Sequence, residues 1–237
     1  MNKKTDYCIK PLIYGLYEKP LSGTDIEARS FAIIDRETPT HHFSAQEWEV
    51  VRRMIHTVGD FGILGDVRFS STAITSAEAA LKKGCPLYVD SNMIRNGLSL
   101  DRLRTVYPHY RREQIHCHIA DDDVAREARE QGLPRSLFAV RKAKAVLDGG
   151  IAVFGNAPVA LLELNRFIME EGLRPTLVVA MPVGFVHVIE SKEELMSLGI
   201  PYITLTGRRG GSPLAVSVIH ALCSLAAQPV PRKENDR

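Results

Sequence analysis

Histidine is the side chain that exchanges a proton most readily near neutral pH, so candidate chemistry starts with the eight histidines of this 237-residue chain. His56 is set apart by its surroundings. It falls in Ala45–Val58, a run with helical periodicity, opened by a Ser44/Glu47 capping box and closed by Gly59 at C′. At about 100° per residue, Trp48, Val51, Met54, Ile55 and Val58 form an apolar stripe, and Glu49, Arg52, Arg53 and His56 take the other side. Arg52 and Arg53, four and three residues before His56, are its neighbours on that side. This spacing turns His56 toward solvent, a cleft or a second subunit, where it is a candidate acid or base. A surface histidine is more often inert, and the periodicity leaves both readings open.

Anion chemistry is suggested by Gly207-Arg208-Arg209-Gly210-Gly211-Ser212, where glycines ahead of a helix expose backbone N–H groups and two arginines add charge. No Gly-Lys-Ser/Thr of a Walker loop and no G-x-G-x-x-G after a strand is present, which argues against a nucleotide. A glycine turn that merely lets strand and helix pack fits the same residues. Two further loops, Gly155-Asn156-Ala157-Pro158 and Met181-Pro182-Val183-Gly184-Phe185, also follow strand-like runs. The other residue types carry less. His116 and His118 flank Cys117 and share one face of a strand, but no third ligand has the spacing to complete a zinc site. Asp121–Asp123 suit a helix start better than paired-carboxylate chemistry, and no G-x-S-x-G elbow occurs.

These candidates must be positioned by a larger frame. Strand-like runs at Asp66–Phe69, Pro86–Val89, Gln114–Ile119, Ile151–Phe154, Thr176–Met181 and Tyr202–Leu205 alternate with helical patterns at Thr72–Lys83, Asn92–Asn96, Asp121–Gln131, Arg135–Leu147, Ala157–Glu171, Lys192–Leu198 and Pro213–Ala226. Ser191 with Glu194 reads as a capping box, and Pro158 and Pro213 suit first helical turns. The alternation predicts an α/β fold: a doubly wound, mostly parallel sheet with helices on both faces, in a single domain over 1–227. An N-terminal helical segment, Asp25–Arg36 and Ala45–Val58, precedes it. The tail 228–237 is expected to fray. Ligands of such sheets bind at the carboxyl ends of the strands, where the three loops lie.

Composition narrows the partners. Lys and Arg number 30 against 28 Asp and Glu, a net charge of +2, with 45% hydrophobic residues. This balance disfavours nucleic acid, which needs an excess of cations gathered on one face, and permits a small polyanion served by a few arginines. The most apolar stretch, Thr176–Ile189, is too short to span a bilayer and contains Pro182, Gly184 and His187, so no membrane partner is expected. Lys3, Lys4, Asp6 and Lys10 do not resemble a signal peptide, and Cys8, Cys85, Cys117 and Cys223 show no CxxC spacing. A cytoplasmic protein with reduced thiols is expected.

Taken together, the chain resembles the precorrin-8X (cobalt-precorrin-8) methylmutases of corrin biosynthesis. The resemblance covers nearly its whole length. It rests on Ile26-Glu27-Ala28-Arg29-Ser30-Phe31-Ala32-Ile33-Ile34, Arg53-Met54-Ile55-His56, Gly155-Asn156-Ala157-Pro158, Met181-Pro182-Val183-Gly184-Phe185-Val186 with Glu190-Ser191-Lys192, and Gly207-Arg208-Arg209-Gly210-Gly211-Ser212, in the family's order. The resemblance implies an isomerase that moves a methyl group from carbon 11 to carbon 12 of the macrocycle, giving hydrogenobyrinate or its cobalt form. It implies His56 as proton donor and acceptor, Ser30 in contact with substrate, Arg135-Ser136 in the substrate pocket, and a homodimer with sites at the subunit interface. The stretches around His56 and Arg208 look closer to the cobalt-using branch, and His187 stands where relatives often have a small residue or Asn.

An internal methyl shift moves no electrons to or from the enzyme, so this reading requires no cofactor and no protein-bound metal. It requires the correct tautomer of the ring, which one acid/base residue can supply. The rim carboxylates call for Arg29, Arg53, Arg135, Arg208 and the helix starts near Asn156 and Gly211. Met181, Val183 and Phe185 are candidates to meet the apolar ring. The alternative is a carrier that binds the same corrinoid without turning it over, for which a titrating group at His56 has no use.

Overall fold

The protein is described from a computed structural model, which covers residues 11–228. Cys8 and residues 229–237 of the expected fraying tail lie outside the described residues. The chain forms two compact units, one up to Pro39 and one from Thr40 onward.

The first unit holds α1 (Ile13–Glu18) and α2 (Gly23–Glu37). Ser22 caps α2: its hydroxyl accepts from the Asp25 N–H while the Asp25 carboxylate accepts from the Ser22 N–H, and the helix begins two residues ahead of the expected Asp25. The hydrogen bonds from Ser22 hold the Asp25 carboxyl below its ordinary range.

The second unit contains, in order, α3 (Ala45–Val58), β1 (Val67–Phe69), α4 (Ala73–Lys82), β2 (Leu87–Val89), α5 (Asn92–Gly97), α6 (Leu100–Val106), β3 (Ile115–His116), α7 (Asp122–Gln131), α8 (Arg135–Lys142), α9 (Lys144–Leu147), β4 (Ile151–Phe154), α10 (Pro158–Glu171), β5 (Leu177–Ala180), α11 (Val188–Ser197), β6 (Tyr202–Leu205) and α12 (Ser212–Ala226). The sheet order is β1-β6-β5-β4-β2-β3; every neighbouring pair is parallel except β1 against β6. The chain leaves β2 for β3 on one side and returns past it to β4 on the other. The topological switch point therefore lies between β2 and β4, where ligand crevices open in such sheets.

Strands buried on both faces read as continuous apolar runs, as Ile151–Phe154 and Leu177–Ala180 do. On one face Tyr88, Ala152, Phe154, Val178 and Ala180 pack with residues of α8, α10 and α11. On the other, α12 packs against α3, α4, α5 and α6. Helix α12 is apolar nearly all round because it is enclosed by these neighbours.

Several boundaries differ from those expected. Only Ile115 and His116 of Gln114–Ile119 pair as strand; beyond them the chain turns and His118 Nδ1 meets Asp121 Oδ2 at 2.9 Å. Arg135–Leu147 is two helices meeting at the fully buried Ala143. Ser191 and Glu194 do not cap α11, which begins at Val188. His187 starts that helix from the left-handed region, φ 58°, and Ser191 donates back to the Val188 carbonyl from inside it. On α3, Val50 is buried and Val58 is 41% exposed, so the buried stripe is Val50, Val51, Met54 and Ile55. Helix α6, absent from the expected set, is capped by Ser99, whose hydroxyl accepts from the Arg102 N–H.

Candidate active site

The loops at the carboxyl ends of β2, β4, β5 and β6 are joined by two buried charges. Asp90 ends β2 at the switch point and is 1% exposed. Its carboxylate accepts from the N–H groups of Gly155 (3.0 Å), Asn156 (2.8 Å) and Ala157 (2.7 Å), which open α10. A helix start presents unpaired N–H groups, and Pro158 in its first turn has none to offer, so one carboxylate can satisfy the remainder. Burial pushes the Asp90 carboxyl up, and the three N–H groups pull it partly back.

The Gly155 turn touches the start of α12. A Cβ on Gly155 would stand 2.7 Å from Ser212 Cα, so only glycine lets the two backbones meet. Ser91 Oγ and Ser212 Oγ lie 3.0 Å apart and link the β2 loop to the same helix. Gly210 runs against the backbone of the β5 loop, where a Cβ would fall 2.3 Å from the Met181 oxygen; the Gly211 N–H donates to that oxygen at 2.7 Å.

The second buried charge is Lys192 on α11, also 1% exposed. Its ammonium donates to the carbonyls of Gly207 (3.0 Å) and Arg209 (2.8 Å), on either side of Arg208. Desolvation pushes the amine down to about 8, with Asp66 opposing the shift. Arg208 is exposed and its guanidinium stands 5.6 Å from the Phe185 ring centroid, a cation–π contact. Val183, Phe185 and Val186 are exposed, a cluster of apolar side chains on the rim, whereas Met181 is fully buried core.

The end of α3 reaches the same loops. Asp60 pairs with Arg209 at 3.3 Å, and Val58, Asp60, Ile63, Val183, Arg209, Gly210 and Leu214 line a cavity of about 260 Å³. His56 is exposed in the last turn of α3, two residues before Val58, and Arg53 is half-buried one turn earlier. The start of α8 lies at the same end of the sheet. Val159 packs on the cluster of Leu137, Phe138 and Ala139, Arg141 bonds Glu163, and Lys144 lies over Phe167. These pairs advance together, so α8 and α10 run parallel and Arg135-Ser136 begin beside the 155–158 turn. Arg135 is exposed and Ser136 buried. The Gly155 turn that precedes Asn156 meets Ser212, next to Gly211, while the Arg208 carbonyl accepts from the Gly184 N–H at 3.3 Å. Arg29 and Ser30 lie on α2 in the first unit; Arg29 is exposed and Ser30 donates to the Ile26 carbonyl.

A larger hollow of about 530 Å³, lined by Lys142, Lys144, Ala145, Asp148, Glu171, Gly172 and Leu173, sits at the amino ends of β4 and β5. Its lysines are paired with carboxylates, Lys142 with Asp121 and Asp123 and Lys144 with Glu171, and it is at the wrong end of the sheet for a ligand crevice. Among the described residues, no three His, Cys, Asp or Glu side chains are grouped to hold a metal ion.

Asp90 and Ser91 are residues of this site that the sequence did not single out, and Lys192 and Ser212 stood only inside family motifs with no role of their own. Asp90 follows a strand directly, a usable signal, whereas Lys192 within a helix reads as an ordinary solvated lysine.

Fold and loops define a doubly wound α/β protein with an arginine-bearing, glycine-rich loop at the carboxyl edge of its sheet. The description of the precorrin-8X methylmutase family matches residues 25–225. A cobalt-precorrin-8 methylmutase of Leptospira interrogans is 43% identical over 214 residues, 87% of this chain and 95% of its own length. A precorrin-8X methylmutase of Pseudomonas aeruginosa is 34% identical, over 85% of this chain and 95% of its own. The crystal structure of the precorrin-8X methylmutase from Thermus thermophilus shares 43% identity with a TM-score of 0.78, covering 86% of this chain and 97% of that one. The chain belongs to the precorrin-8X methylmutase family. It is a methylmutase, an isomerase of corrin biosynthesis.

Proposed function

We propose that this chain moves the methyl group of precorrin-8X, or cobalt-precorrin-8, from carbon 11 to carbon 12, with His56 exchanging the proton that sets the ring's tautomer. The bond from the methyl group to carbon 11 breaks as the bond to carbon 12 forms, and the proton is returned, so product and substrate are isomers. One observation carries this reading: a titratable side chain stands exposed in the last turn of α3, and the residues that follow it line a cavity shared with Arg209 and Gly210 of the arginine loop.

Arg208, Arg135, Arg53 and Arg29 meet rim carboxylates in this reading, with Asn156 and Gly211 at helix starts that favour anions. Ser30 and Ser136 contact the substrate. The 260 Å³ cavity is smaller than the roughly 300–1,000 Å³ that encloses a drug-sized ligand. Together with the exposed rim of Val183, Phe185 and Val186, that size supports a homodimer whose second copy completes the site. The match over residues 25–225 supports reading 1–227 as one functional domain. The cysteines Cys85, Cys117 and Cys223 are free thiols, which supports the reducing cytoplasm as its compartment.

The test is His56→Ala. Turnover is expected to fall about a hundred- to ten-thousand-fold, the usual contribution of a positioned acid/base, while hydrogenobyrinate still binds. Near-normal turnover in that variant removes His56 from the mechanism. Unchanged precorrin-8X spectra with the unsubstituted protein favour the carrier reading. Comparing turnover of the metal-free and cobalt-loaded substrates assigns the branch, and the resemblance favours cobalt.

A further inference from the structure

Lys192 is a buried cation whose hydrogen bonds go to backbone rather than to a carboxylate partner. Taking an ammonium out of water is costly unless polar groups replace its hydration. Here the replacement is two carbonyl oxygens, those of Gly207 and Arg209, reached from the second turn of α11 across a separation of 15 and 17 residues. The two carbonyls bracket Arg208. Drawing both inward to one ammonium sets the peptide planes on either side of that residue and leaves its side chain on the outside, where it stacks on Phe185. Gly207 at φ 72° makes the turn possible. The charged group acting on Lys192 is Asp66, just before β1, and its negative charge favours the ammonium form. Neither Arg208 nor Arg209 makes a hydrogen bond that could replace this clasp from its own side chain: Arg209 is occupied by Asp60, and Arg208 by an aromatic ring.

We propose that Lys192 is a positioning residue for recognition of the substrate's carboxylates: by clasping the carbonyls on both sides of Arg208, it presents that guanidinium at the ligand crevice. The proposal rests on the methylmutase reading above. A lysine that merely fills the core would affect folding alone. A clasp beneath a binding loop affects affinity, and does so in step with its own protonation, because loss of the positive charge weakens both carbonyl contacts and removes attraction for a polycarboxylate.

The experiment uses Lys192→Met, which keeps length and apolar stem but removes the donor. KM for precorrin-8X is expected to rise about tenfold, equivalent to roughly 1.4 kcal/mol of binding, with kcat within about threefold of its original value. In the His56→Ala background, where that imidazole is absent, hydrogenobyrinate binding should weaken as pH rises through about 8, and the added Lys192→Met should abolish that dependence. Unchanged KM in Lys192→Met overturns the proposal. If that variant does not fold, the His56→Ala profile decides: flat product affinity between pH 7 and 9.5 overturns it, and a decline supports it. Failure of the original protein to turn over precorrin-8X would instead sink the methylmutase reading, so the two failures are distinct.

Discussion

Two neighbouring loops of this site are held by opposite means. The Asn156 turn is gathered around a buried anion, Asp90, by three N–H donors; the Arg208 loop is gathered around a buried cation, Lys192, by two carbonyl acceptors. Both charges are 1% exposed. They differ in what lies beneath them. Asp90 sits at the start of α10, where unpaired N–H groups are an obligatory feature of the helix, so the anion answers a demand that the backbone already makes. Lys192 answers no such demand, since loop carbonyls at an exposed turn can be served by water. The difference teaches that the first clasp is part of the fold, while the second is tied more closely to ligand binding.

Linkage sharpens that contrast. A carboxyl raised in the folded state binds protons more readily there than when unfolded, so ionising Asp90 removes stability as pH rises above 3.8. An amine lowered in the folded state binds protons less readily, so stability grows as pH rises from about 8 toward 10.5. In each group burial works against the charged form, at a cost to stability. At Asp90 that cost answers the N–H groups that the start of α10 must satisfy, whereas at Lys192 it falls beneath the candidate substrate contact Arg208.

The largest test of this comparison is Asp90→Asn. A carboxamide offers one acceptor oxygen to three N–H groups and sets its own donors against them, so a loss of about 2–4 kcal/mol is expected in denaturant unfolding. A loss below 1 kcal/mol would mean that the anion is dispensable to the fold. Next comes the pH dependence of stability. The original protein should gain stability between pH 8 and 10.5, and Lys192→Met should lack this component. Identical slopes would erase the distinction between the two clasps. The smallest effect is expected at His187, which joins the β5 loop to α11 in a left-handed conformation without capping the helix through its side chain. His187→Gly should stabilise the protein by about 1 kcal/mol, because glycine adopts this φ without the steric penalty. A destabilised variant would show that the imidazole makes contacts that outweigh the strain.

Local rules made much of the frame legible. Ser44 and Glu47 do cap α3, Gly59 at φ 64° closes it, and Pro158 and Pro213 stand in first helical turns. The same rules misled at Ser191, where a capping pattern occurs inside a helix that had already begun three residues earlier. Val58 was assigned to the core because its position on the wheel is right, yet α3 ends there and the residue lines an open cavity instead. The burial of Asp90 and Lys192 is hidden for a different reason, although Lys192 stands inside a family motif. An aspartate before Ser91 and Asn92 reads as part of a helix start, and a lysine between Ser191 and Glu193 reads as a solvated surface residue.

By itself, the sequence determined the alternation of strands and helices, the glycine and arginine content of the loops, the outward face of His56 and the motifs of the methylmutase family. These depend on neighbours within one or two turns, which the order of residues contains. The tertiary structure decided that β1 runs antiparallel to β6, that the switch point falls between β2 and β4, and that one aspartate and one lysine are withdrawn from water. Burial is the sum of contacts from segments far apart in the chain: Asp90 meets residues 65 to 67 positions away, and Lys192 residues 15 and 17 positions away. No local pattern records that sum, so the charges that hold the site became visible only once the chain was folded.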